Sequence, residues 1–380
     1  MQRLNVAITE SIGIRRKGLK HSKQISPLQH GNDQDRAHIK TAARSRVDAG
    51  IGYGIVAALH LPSLDAGGRE TRARVQPDAE VGRIRSRGGA ADQLISAGHE
   101  VVGLVRDPAK ADLVRRIGGQ PLVGDVRDPV VVAKGVANAD AVAHLALMRA
   151  GERRERASRA EYMRGLDALF AACRGTSLRS FVLASGALGM YRHGPGEWID
   201  ETAPEAPSAP SMADRHAVDE RVREAHREWG LPAVILRPPI VYGVGGAFEE
   251  FFLALMRRGL YRVVGDGSYL VNLVHVEDCA AAYRFALEKA PVGETFLVVD
   301  DGPVTMRELS DFLAREMGKG PPGRVPPFLA KAVVGRDAIH ALMESVHLRN
   351  ARIKSRLGWA PRYPTYRDGI PEVARSYLAE

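Results

Sequence analysis

Cysteine is almost absent from this sequence of 380 residues, which contains only Cys173 and Cys279. Both lie in apolar stretches with helical spacing, and neither belongs to a pattern typical of metal or redox sites. A small secreted domain held together by disulfides is therefore excluded. We expect two buried free thiols, no metal site and a reducing, cytoplasmic setting.

Long hydrophobic runs are also missing. No apolar run approaches the roughly 18 residues that a membrane-spanning helix needs, and the N-terminal residues lack the continuous apolar stretch of a secretory signal. Hydrophobic residues still make up 45% of the chain, which is enough for a globular core. The sequence therefore predicts a cytoplasmic protein with no membrane partner.

Acidic residues are fewer than basic ones, 45 against 54, which gives the chain a net charge of +9. Much of the excess lies before residue 90, in the segments RRKGLK and RETRARVQPDAEVGRIRSRGG. Aromatic residues do not alternate with these arginines, and no zinc or helix-turn-helix pattern accompanies them. This argues against a nucleic-acid partner and leaves a small molecule, which could be anionic, as the expected one.

Residues 1–85 lack any regular secondary-structure pattern. Polar stretches such as KHSKQISPLQHGNDQDRAHIK show neither a helical nor a strand period. We interpret residues 1–85 as an unstructured or spurious N-terminal tail.

A regular pattern begins near residue 86 and is clearest from His99 to Ala146. Short apolar runs alternate there with helical patterns, in the order Val101–Val105, Ala109–Ile117, Pro121–Val123, Val130–Val136 and Ala141–Ala146. Such βαβ units build a parallel sheet that helices cover on both faces. The fold class predicted is α/β with a doubly wound parallel sheet, and ligands bind such sheets beyond the carboxyl ends of the strands.

The start of that sheet is not recognisable. A nucleotide-binding sheet of this class begins with an apolar strand and a glycine-spaced turn, which lets the backbone approach a diphosphate. Here the first recognisable helix, AADQLISAGHE, follows the string VGRIRSRGG instead. We therefore expect the first strand to be missing. Either the protein has lost the phosphate-binding turn, or the residues before Ala90 come from a start-site or reading-frame error, which is the explanation we favour.

From Ala90 to its C-terminal end the chain resembles the extended short-chain dehydrogenases/reductases of the NAD-dependent epimerase/dehydratase family. The resemblance covers roughly three-quarters of the chain and depends on the order of eight segments, LVRDP, GDVRDP, ADAVAHLA, FVLASG, LRPPIVYG, VGDG, VHVEDCAAA and LGWAPRYP. It implies a Rossmann-like NAD(P)-binding core at residues 86–245. Residues 246–380 would then form a small substrate-binding C-terminal part with one or more returning strands.

The resemblance also implies cofactor-binding residues at successive strand ends. Arg106 follows the second strand of the family's sheet, where an arginine favours the 2′-phosphate of NADP over NAD because its planar guanidinium can pair with a phosphate. The alternative for Arg106 is a solvated surface arginine, and the alternative for Asp125 is an aspartate that forms a turn or a helix cap. The remaining matches are Asp125 and Val126 beside the adenine, Leu145 and Ala146 after His144 along the cofactor, and Pro238 and Ile240 in the loop Pro238–Val241 at its nicotinamide end.

The catalytic residues depart from the family pattern, which has a Ser or Thr after the fifth strand and a Tyr-x-x-x-Lys on the next helix. In our alignment of SMADRHAVDER, Met212 takes the place of the tyrosine and His216 that of the lysine. Methionine cannot transfer a proton, whereas histidine can still donate a hydrogen bond to a ribose hydroxyl. Ser185 is the candidate serine, although Gly186 competes for that place, and Tyr162 lies near the position of the family's helix asparagine.

Tyr191, in the loop that leaves the fifth strand, is the candidate replacement for the missing proton donor, and lining of the substrate site is its alternative role. The catalytic set predicted is thus Ser185, Tyr191 and His216. The function implied is an NAD(P)-dependent oxidoreductase or epimerase acting on a small carbonyl or hydroxyl compound such as a sugar or nucleotide sugar. The alternative is a non-catalytic NADP(H)-binding protein with a structural or redox-sensing role. By analogy with the family, a homodimer is plausible.

Overall fold

The computed structural model describes residues 5–9, 56–58, 89–146, 155–194 and 196–379. The strands are β1 (Asn5–Thr9), β2 (Val56–Ala58), β3 (Glu100–Val105), β4 (Gln120–Val123), β5 (Ala141–His144), β6 (Ser180–Ala184), β7 (Trp198–Ile199), β8 (Ala233–Arg237), β9 (Ile240–Tyr242), β10 (Val263–Val264), β11 (Leu270–Val271), β12 (Leu273–His275), β13 (Thr295–Leu297), β14 (Val304–Thr305), β15 (Arg324–Val325) and β16 (His347–Leu348).

The helices are α1 (Ala90–Ser96), α2 (Pro108–Arg116), α3 (Pro129–Val136), α4 (Glu155–Cys173), α5 (Pro210–Trp229), α6 (Gly246–Phe248), α7 (Ala254–Arg257), α8 (Val276–Lys289), α9 (Met306–Glu316), α10 (Pro327–Val334), α11 (Arg336–Met343), α12 (Ala351–Leu357) and α13 (Tyr366–Leu378). A π-helical turn at Glu249–Leu253 joins α6 to α7. No helix among the described residues is long and apolar enough to span a membrane.

The central sheet has the strand order β13-β8-β6-β5-β1-β2-β3-β4, and β1 also pairs directly with β3. All these strands run parallel except β2, which pairs antiparallel with β1 and β3. After β1 the chain builds β3 and β4 on one side, then crosses to build β5, β6, β8 and β13 on the other. The strand order therefore reverses between β1 and β5, and ligands bind such sheets at that switch point.

The first strand of the sheet is present, so our expectation that it is missing was wrong. Residues Asn5–Thr9 form β1, which pairs in parallel with β3 on one edge and with β5 on the other. Five residues are too few for a periodic pattern, and only pairing with distant strands identifies them. The other residues of the segment 1–85, apart from 56–58, lie outside the described part, so the loss of the phosphate-binding turn stays a prediction.

The alternation predicted between His99 and Ala146 is confirmed element by element, from β3 through α2, β4 and α3 to β5. Two aspartates determine where the helices begin. Asp107 accepts a hydrogen bond from the backbone of Ala109, and Asp128 accepts from the backbone of Val130, each with proline at the first helical position. Gly230 ends α5 in the left-handed conformation, which glycine adopts without steric cost.

Apolar clusters lie on both faces of the sheet, as a doubly wound fold requires. One face packs against α1, α8 and α12, and the other against α3, α4 and α5. A separate cluster fills the C-terminal part between α9 and α13. Cys173 and Cys279 are buried free thiols in these clusters, which confirms the expectation for them.

Asp278 lies in the first turn of α8 but does not cap that helix. The cap is His275, whose side chain accepts from the backbone of Glu277. The Asp278 carboxylate instead accepts hydrogen bonds from the backbone N–H groups of Arg362 and Tyr363. It therefore fastens the C-terminal segment to the start of α8.

Candidate active site

The site lies where β5, β6 and β8 end at the carboxyl edge of the sheet. The β6–β8 pairing continues past both strands, since the backbone N–H of Ser185 donates to Leu236 O at 2.8 Å and that of Ala187 donates to Pro238 O at 3.0 Å. The loops that follow β6 and β8 are therefore held together beside the switch point. Pro238 and Ile240, which the sequence placed at the nicotinamide end of a cofactor, lie in this region.

A buried arginine is the centre of the site. Arg237, the last residue of β8, has no solvent exposure. Its Nε and Nη2 donate to one carboxylate oxygen of Asp219, at 2.9 and 2.6 Å, and its Nη1 donates to the Tyr191 hydroxyl at 2.7 Å. The same guanidinium makes two parallel hydrogen bonds to Glu205, at 2.9 and 2.8 Å. Helix α5, strand β8 and the loop after β6 are thus joined through one cation.

The ion pairs of the network keep Glu205 and Arg237 charged although both are largely shielded from solvent. Burial disfavours the charged form of Glu205, yet hydrogen bonds from Arg237 and Arg223 outweigh it and lower the pKa of Glu205 to about 2. Burial also opposes the charge of Arg237, but Asp219 and Glu205 raise its pKa above the ordinary value. For Tyr191, burial raises the pKa of the phenol while Arg237 partly offsets the effect. The Tyr191 oxygen therefore accepts a hydrogen bond from a permanent cation.

The hydroxyl of Ser185 is already used inside this network. It donates to Asp219 at 3.0 Å, and Ser185 is only 3% exposed. A hydroxyl has one proton, so Ser185 cannot donate to a substrate oxygen while this hydrogen bond persists. The geometry gives Ser185 the task of positioning Asp219.

Helix α5 presents a different residue to the strand end than our alignment suggested. The guanidinium of Arg215 lies against Gly186, where a Cβ atom on that glycine would come within 2.4 Å of Arg215 Nη1. His216, the next residue, is turned toward Glu205, with 3.1 Å between His216 Nε2 and a Glu205 oxygen. Met212 is 8% exposed and packs in an apolar cluster. Arg215, which we did not single out, is thus the cation at the end of β6.

Gly189, in the loop after β6, is closely approached by the side chain of Met212. This glycine has φ of +68°, and a Cβ atom there would lie 2.8 Å from Met212 Cγ. A glycine tolerates both the left-handed backbone and the close approach of the methionine. Met212 therefore fills the space beneath the loop that carries Tyr191.

Three potential metal ligands lie together on the outer side of the network. One ligand atom from each of Glu205, His216 and Glu220 falls within 4.8 Å of the others. Both carboxylates already accept hydrogen bonds from Arg223, and Glu205 also accepts from Arg237. Both carboxylates are thus already paired with arginines, and a metal ion at this place would have to displace a guanidinium group.

The wall at the end of β5 is formed by predicted cofactor-lining residues and by Tyr162. Leu145 and Ala146 are 6% and 7% exposed, and the Tyr162 hydroxyl donates to Ala146 O at 2.9 Å. The ring of His144 lies 5.3 Å from that of Tyr162, and burial lowers the pKa of His144 to about 4. The wall is therefore uncharged near neutral pH.

At the other end of the site, Arg106 and Asp125 follow β3 and β4. Arg106 is exposed. Asp125 forms two side-chain hydrogen bonds with Arg127, which lower the pKa of its carboxyl, and the charge of Arg106 lowers it further. Val126 packs beside Gly165 of α4. A cation next to a carboxylate at these strand ends fits the donor and acceptor needs of a phosphorylated ribose.

Comparison with known proteins identifies the family. Residues 89–298, more than half of the chain, match the NAD dependent epimerase/dehydratase family. The chain belongs to this family. Its fold is the Rossmann-like α/β fold with a doubly wound parallel sheet that the sequence predicted.

Two curated relatives are named as reductases. The chain is 26% identical over 309 residues to a 4-hydroxy-2-methyl-3-oxo-4-farnesyl-3,4-dihydroquinoline-1-oxide ketoreductase of Stigmatella aurantiaca, with 74% of this chain and 91% of the relative covered. It is 29% identical over 302 residues to a 3-diazoavenalumate denitrifying reductase of a Streptomyces species, with 76% and 94% covered. The relatives thus include oxidoreductases.

Solved structures share the fold. A UDP-glucose 4-epimerase of Thermotoga maritima, solved with UDP-glucose, superposes with a TM-score of 0.65 at 21% identity and covers 77% of this chain and 96% of its own. A UDP-glucuronic acid 4-epimerase of Bacillus cereus, in complex with NAD, superposes with a TM-score of 0.63 at 18% identity, with 77% and 95% covered. At this identity the likeness concerns the fold.

Proposed function

We propose that the protein is an NADP-dependent reductase of a small carbonyl compound. The observation that carries this proposal is the buried Arg237 network, which holds the hydroxyl of Tyr191 at the carboxyl edge of the sheet beside the switch point. The names of the two reductase relatives support the reaction class.

The cofactor would extend along the strand ends from Arg106 to Pro238. Arg106 and Asp125 would hold the phosphorylated adenosine, Val126 would line the adenine, and Leu145 and Ala146 would face the middle of the cofactor. Pro238 and Ile240 would line the nicotinamide end. An arginine after β3 favours NADP over NAD, because a guanidinium pairs with the additional phosphate. When bound, the reduced nicotinamide supplies a hydride.

Tyr191 would supply the proton. Because Arg237 donates to the phenolic oxygen, the tyrosine's own O–H points elsewhere and can be given to a substrate oxygen. The phenolate left behind would be stabilised by the same guanidinium, which stays charged. His216 and Ser185 touch Glu205 and Asp219, so they would position this network rather than contact the substrate.

The Tyr191→Phe variant tests the proposal in an assay of NADPH oxidation with a panel of aldehydes, ketones and nucleotide sugars. We expect kcat to fall about 10²-fold or more, the range for loss of a positioned acid, while the Kd for NADPH stays unchanged. Tyr261→Phe is the matched control, because Tyr261 is a buried tyrosine that bonds to Ser310 away from the site. An unchanged rate in Tyr191→Phe would assign Tyr191 to the lining of the substrate site.

The second candidate function is a non-catalytic NADP(H)-binding protein, and the hydrogen bond that commits the Ser185 hydroxyl to Asp219 favours it. The same assay distinguishes the two. Intact NADPH binding with no turnover of any compound in the panel would support the binding protein and contradict the reductase.

A further inference from the structure

We propose that Arg215 and Gly186 form a subsite for an anionic oxygen of the substrate. This inference deepens the proposed function, since it concerns the same edge of the sheet. The ligand chemistry has two possible sources, a substrate carboxylate or the carbonyl oxygen that becomes negative during reduction.

The first argument is the fit between the two residues. Gly186 follows the last residues of β6, and the Arg215 guanidinium occupies the volume that any side chain at that position would need, with Nη1 at 2.4 Å and Cζ at 3.2 Å from an ideal Cβ. A planar guanidinium has five N–H donors and pairs well with anionic oxygens. The glycine thus lets a permanent cation lie over the end of a central strand.

The second argument is an unused polar atom on the same face of α5. Ser211 precedes Arg215 by one helical turn, so their side chains share a face of the helix. The Ser211 Oγ is buried, and it makes no hydrogen bond to any described residue. Its backbone N–H donates to Asp337 of α11 at 3.2 Å, which places the start of α5 against the C-terminal part. A hydroxyl without a hydrogen-bond partner among the described residues and a guanidinium therefore lie one turn apart on one face of α5.

The third argument is that the residues of the Arg237 network bind one another, so stabilisation of a negative substrate oxygen would fall to another residue. Asp219 is engaged by Arg237 and Ser185, and Glu205 by Arg237, Arg223 and His216. These groups hold one another. When hydride adds to the carbonyl carbon, the C=O π bond breaks and its electron pair moves to the oxygen. Arg215 would donate hydrogen bonds to that oxygen until the Tyr191 proton reaches it, and Tyr191 would then regain a proton from water.

A calorimetric titration of the full chain with oxalate, at constant ionic strength and without cofactor, tests the subsite directly. We expect oxalate to bind the wild type and to bind Arg215→Met about tenfold more weakly or worse. Gly186→Ala should also weaken binding, because the added methyl group displaces the guanidinium. Arg227→Met is the matched control on the same helix, since Arg227 is 59% exposed. A wild type that does not bind oxalate, an unchanged Arg215→Met, or an equal loss in Arg227→Met would overturn the proposal.

Kinetics separate the two sources of the anionic oxygen. With a ketone that lacks a carboxylate, a lower kcat at unchanged KM in Arg215→Met would indicate the oxygen that becomes negative. A higher KM for an oxo acid at unchanged kcat would indicate a bound carboxylate. No change in either parameter would overturn the inference. If NADPH does not bind at all, the proposed function fails, whereas the oxalate titration still decides the fate of the subsite.

Discussion

Arg237 has no contact with solvent, yet it carries a full positive charge at the centre of the site. Such a charge is tolerated because Asp219 and Glu205 surround it and every hydrogen bond is short. The result is a rigid junction between α5, β8 and the loop with Tyr191. In the proposed reaction, a tyrosine held in this way is preorganised, so it would not have to reorganise when a substrate oxygen arrives.

Asp219→Ala should destabilise the protein strongly. It removes one counter-charge of Arg237 and leaves a buried guanidinium undercompensated, which costs about 3–5 kcal/mol in comparable cases. The free energy of unfolding from urea titration measures the effect. Asp167→Ala is the control, because Asp167 pairs with Arg221 on the surface and is 57% exposed, so its loss should cost less than about 1 kcal/mol. Equal costs for the two variants would contradict the role given to Asp219.

Sequence reasoning selected several residues of this site but could not see how they are connected. The sequence predicts a catalytic set of Ser185, Tyr191 and His216, and the structure brings all three to the Arg237 network. Arg237 and Glu205 escaped notice because their contacts join positions far apart in the chain. Arg215 was missed because the family pattern draws attention to His216, and adjacent helix residues differ by about 100° in direction.

At the scale of elements, the short stretch between β4 and α3 determines one end of the proposed cofactor site. Asp125 and Val126 lie in this turn, and Asp128 ends it by capping α3. Its carboxylate accepts from the backbone of Val130 at 2.9 Å and of Val131 at 3.4 Å. The position of the turn therefore depends on the helix that follows it.

Asp128→Ala should lower the free energy of unfolding by about 1 kcal/mol, the usual loss for an N-cap aspartate. The proper control is Asp112→Ala, since Asp112 lies within α2, is 71% exposed and pairs through its carboxylate with Arg115, which is exposed as well. Thermal or urea unfolding of both variants gives the comparison. A loss in Asp112→Ala as large as that in Asp128→Ala would show that the effect is not one of capping.

The strands between His99 and Ala146 could be predicted because each is an apolar run bounded by turn residues and separated by capped helices. A local signal of the same kind is the capping box of Thr305 and Glu308, which opens α9. Sequence reasoning failed for β1, whose five residues carry no periodic signal of their own. That strand forms by pairing with β3 and β5, which lie more than ninety residues further along the chain.

At the scale of the whole molecule, the sheet and the C-terminal part meet at a buried carboxyl group. Asp300 is 2% exposed, its backbone N–H donates to Leu273 O at 2.8 Å, and its backbone oxygen accepts from Asn350. Burial, followed by the nearby charges of Asp301, Asp278 and Asp368, raises the pKa of Asp300 to about 8. Asp300 is therefore protonated in the folded protein near neutral pH.

This protonation should make stability depend on pH. The unfolded chain releases the Asp300 proton near pH 4, whereas the folded chain keeps it until about pH 8. The stabilising contribution is thus complete below pH 4 and is lost as the pH rises from about 4 to 8. Asp300→Asn has no proton to lose at this position. The free energy of unfolding of the variant should therefore fall less between pH 5 and 8 than that of the wild type. Parallel curves for the two proteins would contradict a raised pKa.

The division of the chain into an 86–245 core and a 246–380 part stays a prediction, as does the homodimer. Strand β13 belongs to the second part by sequence, yet it pairs with β8 in the central sheet. The two parts therefore share a sheet.

Calorimetric titration of the full chain with NADPH, and then with NADH, tests the central claim most directly. We predict that NADPH binds about tenfold more tightly than NADH or better, because Arg106 pairs with the additional phosphate. Arg106→Asp should abolish that preference, and Arg116→Asp, an exposed arginine of α2, should leave it intact. Absence of binding to either cofactor, or equal affinity for both in the wild type, would contradict the account.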